Sequence, residues 1–249
     1  MQILLNRLSI SYKHTRIIMK ISKCTKVIKA LFVLQIFVII TFAGNVFGQV
    51  KTEEQPKTPE QTKTTIQVKV QAAQVNNFVQ RFDDKYLISL ALNRTDSETK
   101  TMLFLSNSLT YVAYSVPVAL MAGGIIRHDS GMRQNALYVG SSAAITLGAT
   151  LLMKTVFKRR RPFVQNLKIV AVYNAGSTSF PSGHTSTSFA VATALSRAYP
   201  KWYVIVPSYL WAGSVGYSRM YLGVHYPSDV FGGAVLGTTT SWLLRPAFK

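Results

Sequence analysis

Four long apolar stretches without a charged residue dominate the chain from residue 101 onward and constrain its fold more than any other feature. Thr101–Ile126 runs for 26 residues, Gln134–Met153 for 20, Trp202–Ser218 for 17 and Val230–Leu244 for 15. A fifth, Thr185–Ser196, is only 12 residues long. A helix needs about 20 apolar residues to cross a hydrocarbon core of about 30 Å. The first two stretches meet that length alone. The others meet it only if the polar residues beside them join their helices. Small residues at Gly213, Gly216, Gly233 and Gly237 suit close helix–helix approach. The expected fold is all-α, a helical transmembrane bundle with about five membrane helices.

The charge falls in blocks around these stretches. Lys and Arg number 28 against 9 Asp and Glu, a net charge of +19. Residues 1–29 hold seven bases and no acid, residues 30–101 eight bases and seven acids, and residues 102–249 thirteen bases and two acids. Basic stripes that bind nucleic acid sit on soluble, polar elements; here the bases punctuate apolar runs, so no nucleic-acid partner is expected. From residue 131 onward Asp229 is the single carboxylate. A carboxylate-bridged two-metal centre cannot be assembled there, so no metal and no cofactor are expected. A lone cysteine, Cys24, excludes an internal disulfide and a Cys-rich zinc site.

Residues 1–48 read as a basic leader and signal segment, with an apolar run that extends from Ala30 to Val50 over 21 residues. This is the pattern of a signal peptide, with Val46-Phe47-Gly48 as a small-residue cleavage site, or of a signal anchor. Residues 49–76, rich in Thr, Gln, Lys and Glu, read as a solvated linker. Across 77–100, Phe78, Phe82, Tyr86 and Leu90 recur at helical spacing while Arg81, Asp83, Asp84 and Lys85 fall elsewhere. An amphipathic helix at the membrane surface is expected. Residues 101–249 form the helical domain.

Three polar clusters stand at the ends of the apolar runs. In the first, Lys154 and Arg161 are seven apart, which would place both on one helix face two turns apart. Pro162 disfavours helix at Arg161. Two converging cations imply an anion such as phosphate, although basic residues at a membrane edge also snorkel. The second cluster is Ser179-Phe180-Pro181-Ser182-Gly183-His184. With Pro181 in a first helical turn, the N–H groups of Ser182, Gly183 and His184 would be free donors at a positive helix end. The third runs from Ser218-Arg219 to His225-Tyr226-Pro227-Ser228-Asp229. Pro227 marks a helix start, from which Asp229 can reach back to one imidazole nitrogen of His225 and leave the other nucleophilic. Arg219 adds a further phosphate donor.

Together the clusters resemble the type 2 phosphatidic acid phosphatase (PAP2) superfamily. Its pattern is Lys, six residues, Arg-Pro; then Pro-Ser-Gly-His; then Ser-Arg, five residues, His, three residues, Asp. Those identities stand here at Lys154, Arg161, Pro162, Pro181, Ser182, Gly183, His184, Ser218, Arg219, His225 and Asp229. The resemblance covers about residues 102–246. It implies a bundle of the PAP2 and vanadium haloperoxidase type and metal-free phosphoryl transfer through a phosphohistidine. By that likeness His225 is the nucleophile, Asp229 its orienting carboxylate, and His184 the acid for the leaving group and then the base for water. Lys154, Arg161, Ser182, Gly183 and Arg219 hold the phosphoryl oxygens.

The expected substrate is a phosphorylated lipid, monophosphate or diphosphate, met in the membrane. The alternatives are a broad acid phosphatase on soluble monoesters, a vanadate-dependent haloperoxidase and a non-catalytic lipid-binding protein. With all three motifs on one face, the opposite face carries 13 bases against seven, counting the leader with Arg127, Arg133, Arg197, Lys201, Arg245 and Lys249. Excess positive charge stays in the cytoplasm, so the site is expected to face the periplasm or exterior of an inner-membrane, multi-pass protein.

Overall fold

The computed structural model describes residues 78–176 and 178–248. The expected leader and linker lie outside the described residues. The elements are α1 (78–92), α2 (Asp96–Ile126), α3 (Ser130–Phe157), α4 (Pro162–Gln165), α5 (Gly183–Ala198), α6 (Trp202–Tyr221), α7 (Pro227–Leu244) and a 3₁₀ turn, Arg245–Phe248. There is no strand among the described residues. Among the described residues two helical stretches, Asp96–Ile126 and Ser130–Gln165, are long and apolar enough to cross a membrane. Their outer faces expose Phe104, Tyr111, Val118, Leu151 and Val156.

α5 is the axis of the bundle, packed on α2, α3, α6 and α7. It is built mostly from small residues: Thr185, Ser186, Ser188, Ala190, Val191, Ala192 and Ala194 are buried. Small side chains let helix backbones touch, and touching backbones gain dispersion contacts over their whole length. The contact with α7 is the closest. A Cβ on Gly237 would lie 2.0 Å from the Ser186 carbonyl oxygen, and one on Gly233 would lie 2.7 Å from that of Ser182. Hydroxyls bind the layers: Thr150 and Ser186 share a 2.8 Å hydrogen bond between α3 and α5, and Ser241 donates to the Ala190 carbonyl at 2.7 Å. Gly216 also sits in a tight contact, against Val230 and Thr185, whereas Gly213 faces open space rather than a neighbouring helix.

The short apolar runs do recruit their polar flanks. Gly183 and His184 open α5, Arg219 lies in the last turn of α6, and Pro227, Ser228 and Asp229 form the first turn of α7. At 1.5 Å per residue α5, α6 and α7 are roughly 24, 30 and 27 Å long. The helix expected across 77–100 is instead interrupted at 93–95, where the side chain of Thr95 caps α2 by accepting the N–H of Glu98. On α1 the inward residues are Asp83 and Leu87, each 1% exposed, while Phe78 and Phe82 point outward. The first half of the apolar stripe therefore does not pack on the bundle; Asp83 and Leu87 do, with Leu90 packed against the cluster that holds Leu87.

Candidate active site

Lys154 and Arg161 reach one site, but not from one helix. α3 ends at Phe157, and Lys158 takes a left-handed conformation at φ 43° that turns the chain away. Arg161 lies in the extended segment before Pro162, which opens α4. The Arg161 Nη1 donates to the Val224 carbonyl at 2.8 Å and lies 3.3 Å from His225 Nε2. Lys154 Nζ donates to the Thr178 carbonyl at 2.6 Å.

The second cluster differs from expectation in two ways. The helix starts at Gly183 with Ser182 as its cap, so Pro181, joined to Phe180 by a cis peptide, precedes the first turn. Ser182 is also not a free backbone donor: its N–H goes to the Asp229 carbonyl at 3.1 Å. Its Oγ accepts from the Thr185 hydroxyl at 2.9 Å, leaving its own proton to donate elsewhere. Gly183 and His184 remain as first-turn residues whose N–H groups have no intrahelical acceptor.

The third cluster is a turn between α6 and α7. Val224 and His225 both donate backbone N–H to the Arg219 carbonyl, at 3.2 and 3.3 Å. Gly223 makes the turn possible at φ +72°, where a Cβ would lie 2.9 Å from the Val170 carbonyl. His225 is 3% exposed and Asp229 fully buried. The His225 Nδ1 lies 3.6 Å from Asp229 Oδ2, beyond hydrogen-bond length and without another partner among the described residues. With Arg161 donating toward Nε2, the proton belongs on Nδ1, facing the carboxylate, and the Nε2 lone pair faces Arg161. Burial holds the imidazole far below the usual histidine range, at about 3, against the pull of Asp229 and with help from Arg219 and Arg161. The ring is therefore neutral at ordinary pH.

Arg219 donates to the Ser106 hydroxyl on α2 and lies 5.6 Å above the Tyr173 ring. The charges of Arg219, His225, Arg161 and Lys154 all act on His184. Thus the eight residues singled out from the sequence converge on the helix ends at one face.

Sequence reasoning missed their supports. Arg159, one of four consecutive bases at 158–161, is 6% exposed and binds Asp229 Oδ1 at 2.7 Å. The Ser179 hydroxyl donates to Asp229 Oδ2, as does the Tyr226 N–H at 2.9 Å. Asp83 pairs with Arg159 at 2.8 Å and accepts the Ser228 N–H at 3.1 Å. Ser179 and Ser228 could have been suspected from their places inside the motifs; Asp83, on a distant helix, gave no such signal.

A family model described as the PAP2 superfamily matches residues 135–249. Over that stretch, a little under half of its length, the chain is similar to the PAP2 superfamily. Among curated PAP2 relatives, it is 30% identical over 143 residues to the putative undecaprenyl-diphosphatase YbjG of Escherichia coli, covering 54% of this chain and 66% of that one. It is 37% identical over 82 residues to the lipid A 4'-phosphatase of Bacteroides thetaiotaomicron, covering 33% and 36%. The chain thus spans from about a third to about two thirds of these relatives. The solved transmembrane PAP2-type phosphatidylglycerolphosphate phosphatase of Bacillus subtilis superposes with a TM-score of 0.57 at 26% identity, covering 68% of this chain and 85% of that one. Aquifex aeolicus LpxE shares the fold, with a TM-score of 0.54 at 23% identity, covering 66% and 95%.

Proposed function

We propose that the protein is a membrane-embedded phosphatase that removes a phosphoryl group from lipid phosphate monoesters or lipid diphosphates through a phosphohistidine at His225. The observation that carries this reading is the His225 ring itself. It is buried and neutral, Nδ1 faces Asp229, and Nε2 faces a guanidinium that can hold phosphate oxygens.

In the first step the Nε2 lone pair attacks phosphorus as the bond to the leaving oxygen breaks. His184 gives that oxygen its proton, and Asp229 stabilises the positive imidazole. In the second step His184 takes a proton from water, the water oxygen bonds to phosphorus, and the phosphorus–nitrogen bond breaks. Inorganic phosphate leaves, and a monoester yields the alcohol while a diphosphate yields the monophosphate. Lys154, Arg161, Ser182, Gly183 and Arg219 hold the three other oxygens, so fixed cations and dipoles supply the charge stabilisation that phosphoryl transfer needs. On this reading the reaction needs no metal.

The substrate class is supported by the relatives, whose names give a lipid diphosphate and a lipid phosphate, and by the surface. An apolar groove of about 360 Å³, lined by Phe82, Tyr86, Tyr217, Met220, Pro227 and Val230 among others, opens beside the turn that bears His225. A hydrocarbon chain lying there gains about 0.8 kcal/mol per buried CH₂. We place the protein in the inner membrane as a multi-pass protein with its site facing the periplasm or exterior. The test is phosphate release by the detergent-purified protein from lipid monophosphates, lipid diphosphates and soluble monoesters, with EDTA present. Release from the lipids at higher kcat/KM is expected. Equal efficiency on soluble esters would favour the acid phosphatase, and loss of activity in EDTA restored by magnesium would refute the metal-free mechanism.

A further inference from the structure

Four basic residues stand in a row at 158–161, and two of them, Arg159 and the site residue Arg161, are buried. Lys158 and Arg160 are exposed. The Arg159 guanidinium lies between two carboxylates, with Nη2 2.8 Å from Asp83 Oδ2 and Nη1 2.7 Å from Asp229 Oδ1. Nη1 also donates to the Ser228 hydroxyl at 2.6 Å and Nη2 to Gln80 Oε1 at 3.1 Å. The Tyr226 ring lies against it at 4.0 Å. Asp83 in turn receives the N–H and the hydroxyl of Ser228, in the first turn of the helix that carries Asp229.

Such an arrangement is costly. Burial raises the Asp83 carboxyl above its usual range even though Ser228 and Arg159 oppose it. A buried ion network is weak evidence for stability, because desolvation offsets most of its attraction. Its placement is what distinguishes it, since one carboxylate of the network is the group that faces His225.

We propose that Arg159 and Asp83 are positioning residues that set the charge Asp229 presents to His225. Arg159 holds Asp229 Oδ1 and draws on its negative charge; Asp83 competes for the same guanidinium and so limits how much of it Asp229 receives. This rests on the reading of His225 as nucleophile given above. The other groups facing the imidazole are Arg161 before α4, Arg219 at the end of α6 and His184 at the start of α5, with Lys154 at the end of α3 acting on Asp229. None of these belongs to the network, so changes at residues 83 and 159 isolate it.

The arrangement gives opposite signs for two substitutions. Arg159→Gln frees the full charge of Asp229 and strengthens its hold on the His225 Nδ1 proton. Asp83→Asn leaves Arg159 to Asp229 alone and weakens that hold. A role confined to stability would move both variants the same way. The readout is the Nδ1 proton resonance of His225 at neutral pH, in the full chain labelled with ¹⁵N-histidine in lipid nanodiscs. His225→Gln identifies the signal among the four histidines. A downfield shift in Arg159→Gln and an upfield shift in Asp83→Asn are expected. Shifts of one sign, or none, overturn the proposal.

Phosphate release on the same samples adds a second arm. Arg159→Gln and Asp83→Asn should change kcat in opposite directions, each with KM within about twofold, since both act through the carboxylate that stabilises the positive imidazole in the transition state. Arg159→Lys, which keeps the charge, should reverse part of the change seen in Arg159→Gln and remains measurable if the Gln variant fails to fold. A rise in KM at unchanged kcat would make Arg159 a substrate contact and also overturn the proposal. Wild type that releases no phosphate would count against the enzymatic reading, while the resonance shifts would still decide the coupling.

Discussion

Ser182 donates its backbone N–H to the carbonyl oxygen of Asp229 at 3.1 Å, so the starts of α5 and α7 are joined directly. A residue inside the second motif is thereby fixed to the residue that closes the third. This join needs the two helices in backbone contact, and Gly233 and Gly237 provide it. A Cβ at 237 would meet the Ser186 carbonyl at 2.0 Å, a backbone atom that cannot turn aside. Gly237→Ala is expected to lower the apparent Tm and phosphate release together, at an overpacking cost of about 1–3 kcal/mol or more. Gly213→Ala, facing open space, should leave both near wild type. Thermal unfolding in detergent compares them, and equal behaviour of the two variants would remove backbone contact as the cause.

The nucleophile and the acid make separable predictions. His225→Ala should abolish turnover, and acid quench of wild type with ³²P-labelled substrate should leave label on a histidine. His184→Ala should slow both steps but still permit phosphorylation by substrates with very good leaving groups. Full activity in His225→Ala would sink the mechanism.

Burial of His225 also couples the fold to pH. Its imidazole titrates near 6.5 when unfolded and at about 3 in the fold. Between those values the unfolded chain binds the extra proton, so stability rises with pH. The contribution of His225 is complete above about pH 6.5 and is lost as pH falls toward 3. Apparent Tm measured from pH 7.5 to pH 4.5 should fall more steeply in wild type than in His225→Asn. Parallel slopes would show that the ring is not held neutral by the fold.

The helical fold was legible because long uncharged runs admit few alternatives, and the motif spacing singled out the eight residues that the fold brings to one face. What stayed hidden were contacts between elements remote in sequence. Arg159 and Arg161 are buried while Arg160 between them carries the same side chain and is exposed, a difference the run of bases does not signal. Asp83 was read by helical periodicity, which ranks a carboxylate as outward. Its burial is decided by Ser228 and Arg159, 145 and 76 residues away. Periodicity carries no term for a polar partner supplied by another helix. Gly213 shows the converse: a small residue permits a close contact without requiring one.

The rim of the site makes the last prediction. Lys158, Arg160 and Lys168 are exposed, beside Val164, Leu167 and Val170, which are 57%, 93% and 66% exposed. Apolar side chains open to the surroundings between basic ones suit the headgroup level of a bilayer, where each base near an anionic surface contributes about 1 kcal/mol. Replacing Lys158, Arg160 and Lys168 together by Gln should raise KM for a lipid phosphate in anionic vesicles by more than about tenfold, because roughly 1.4 kcal/mol corresponds to each factor of ten. The same variant in neutral detergent, and its kcat in either, should change little, since these side chains lie outside the proposed phosphate cradle. An unchanged KM in anionic vesicles would show that they do not meet the headgroups. The orientation follows from the same rim. Val164→Cys, in a chain with Cys24→Ser, should react with an impermeant thiol reagent in intact cells. Protection of residue 164 until the cells are permeabilised would instead place the site on the cytoplasmic side.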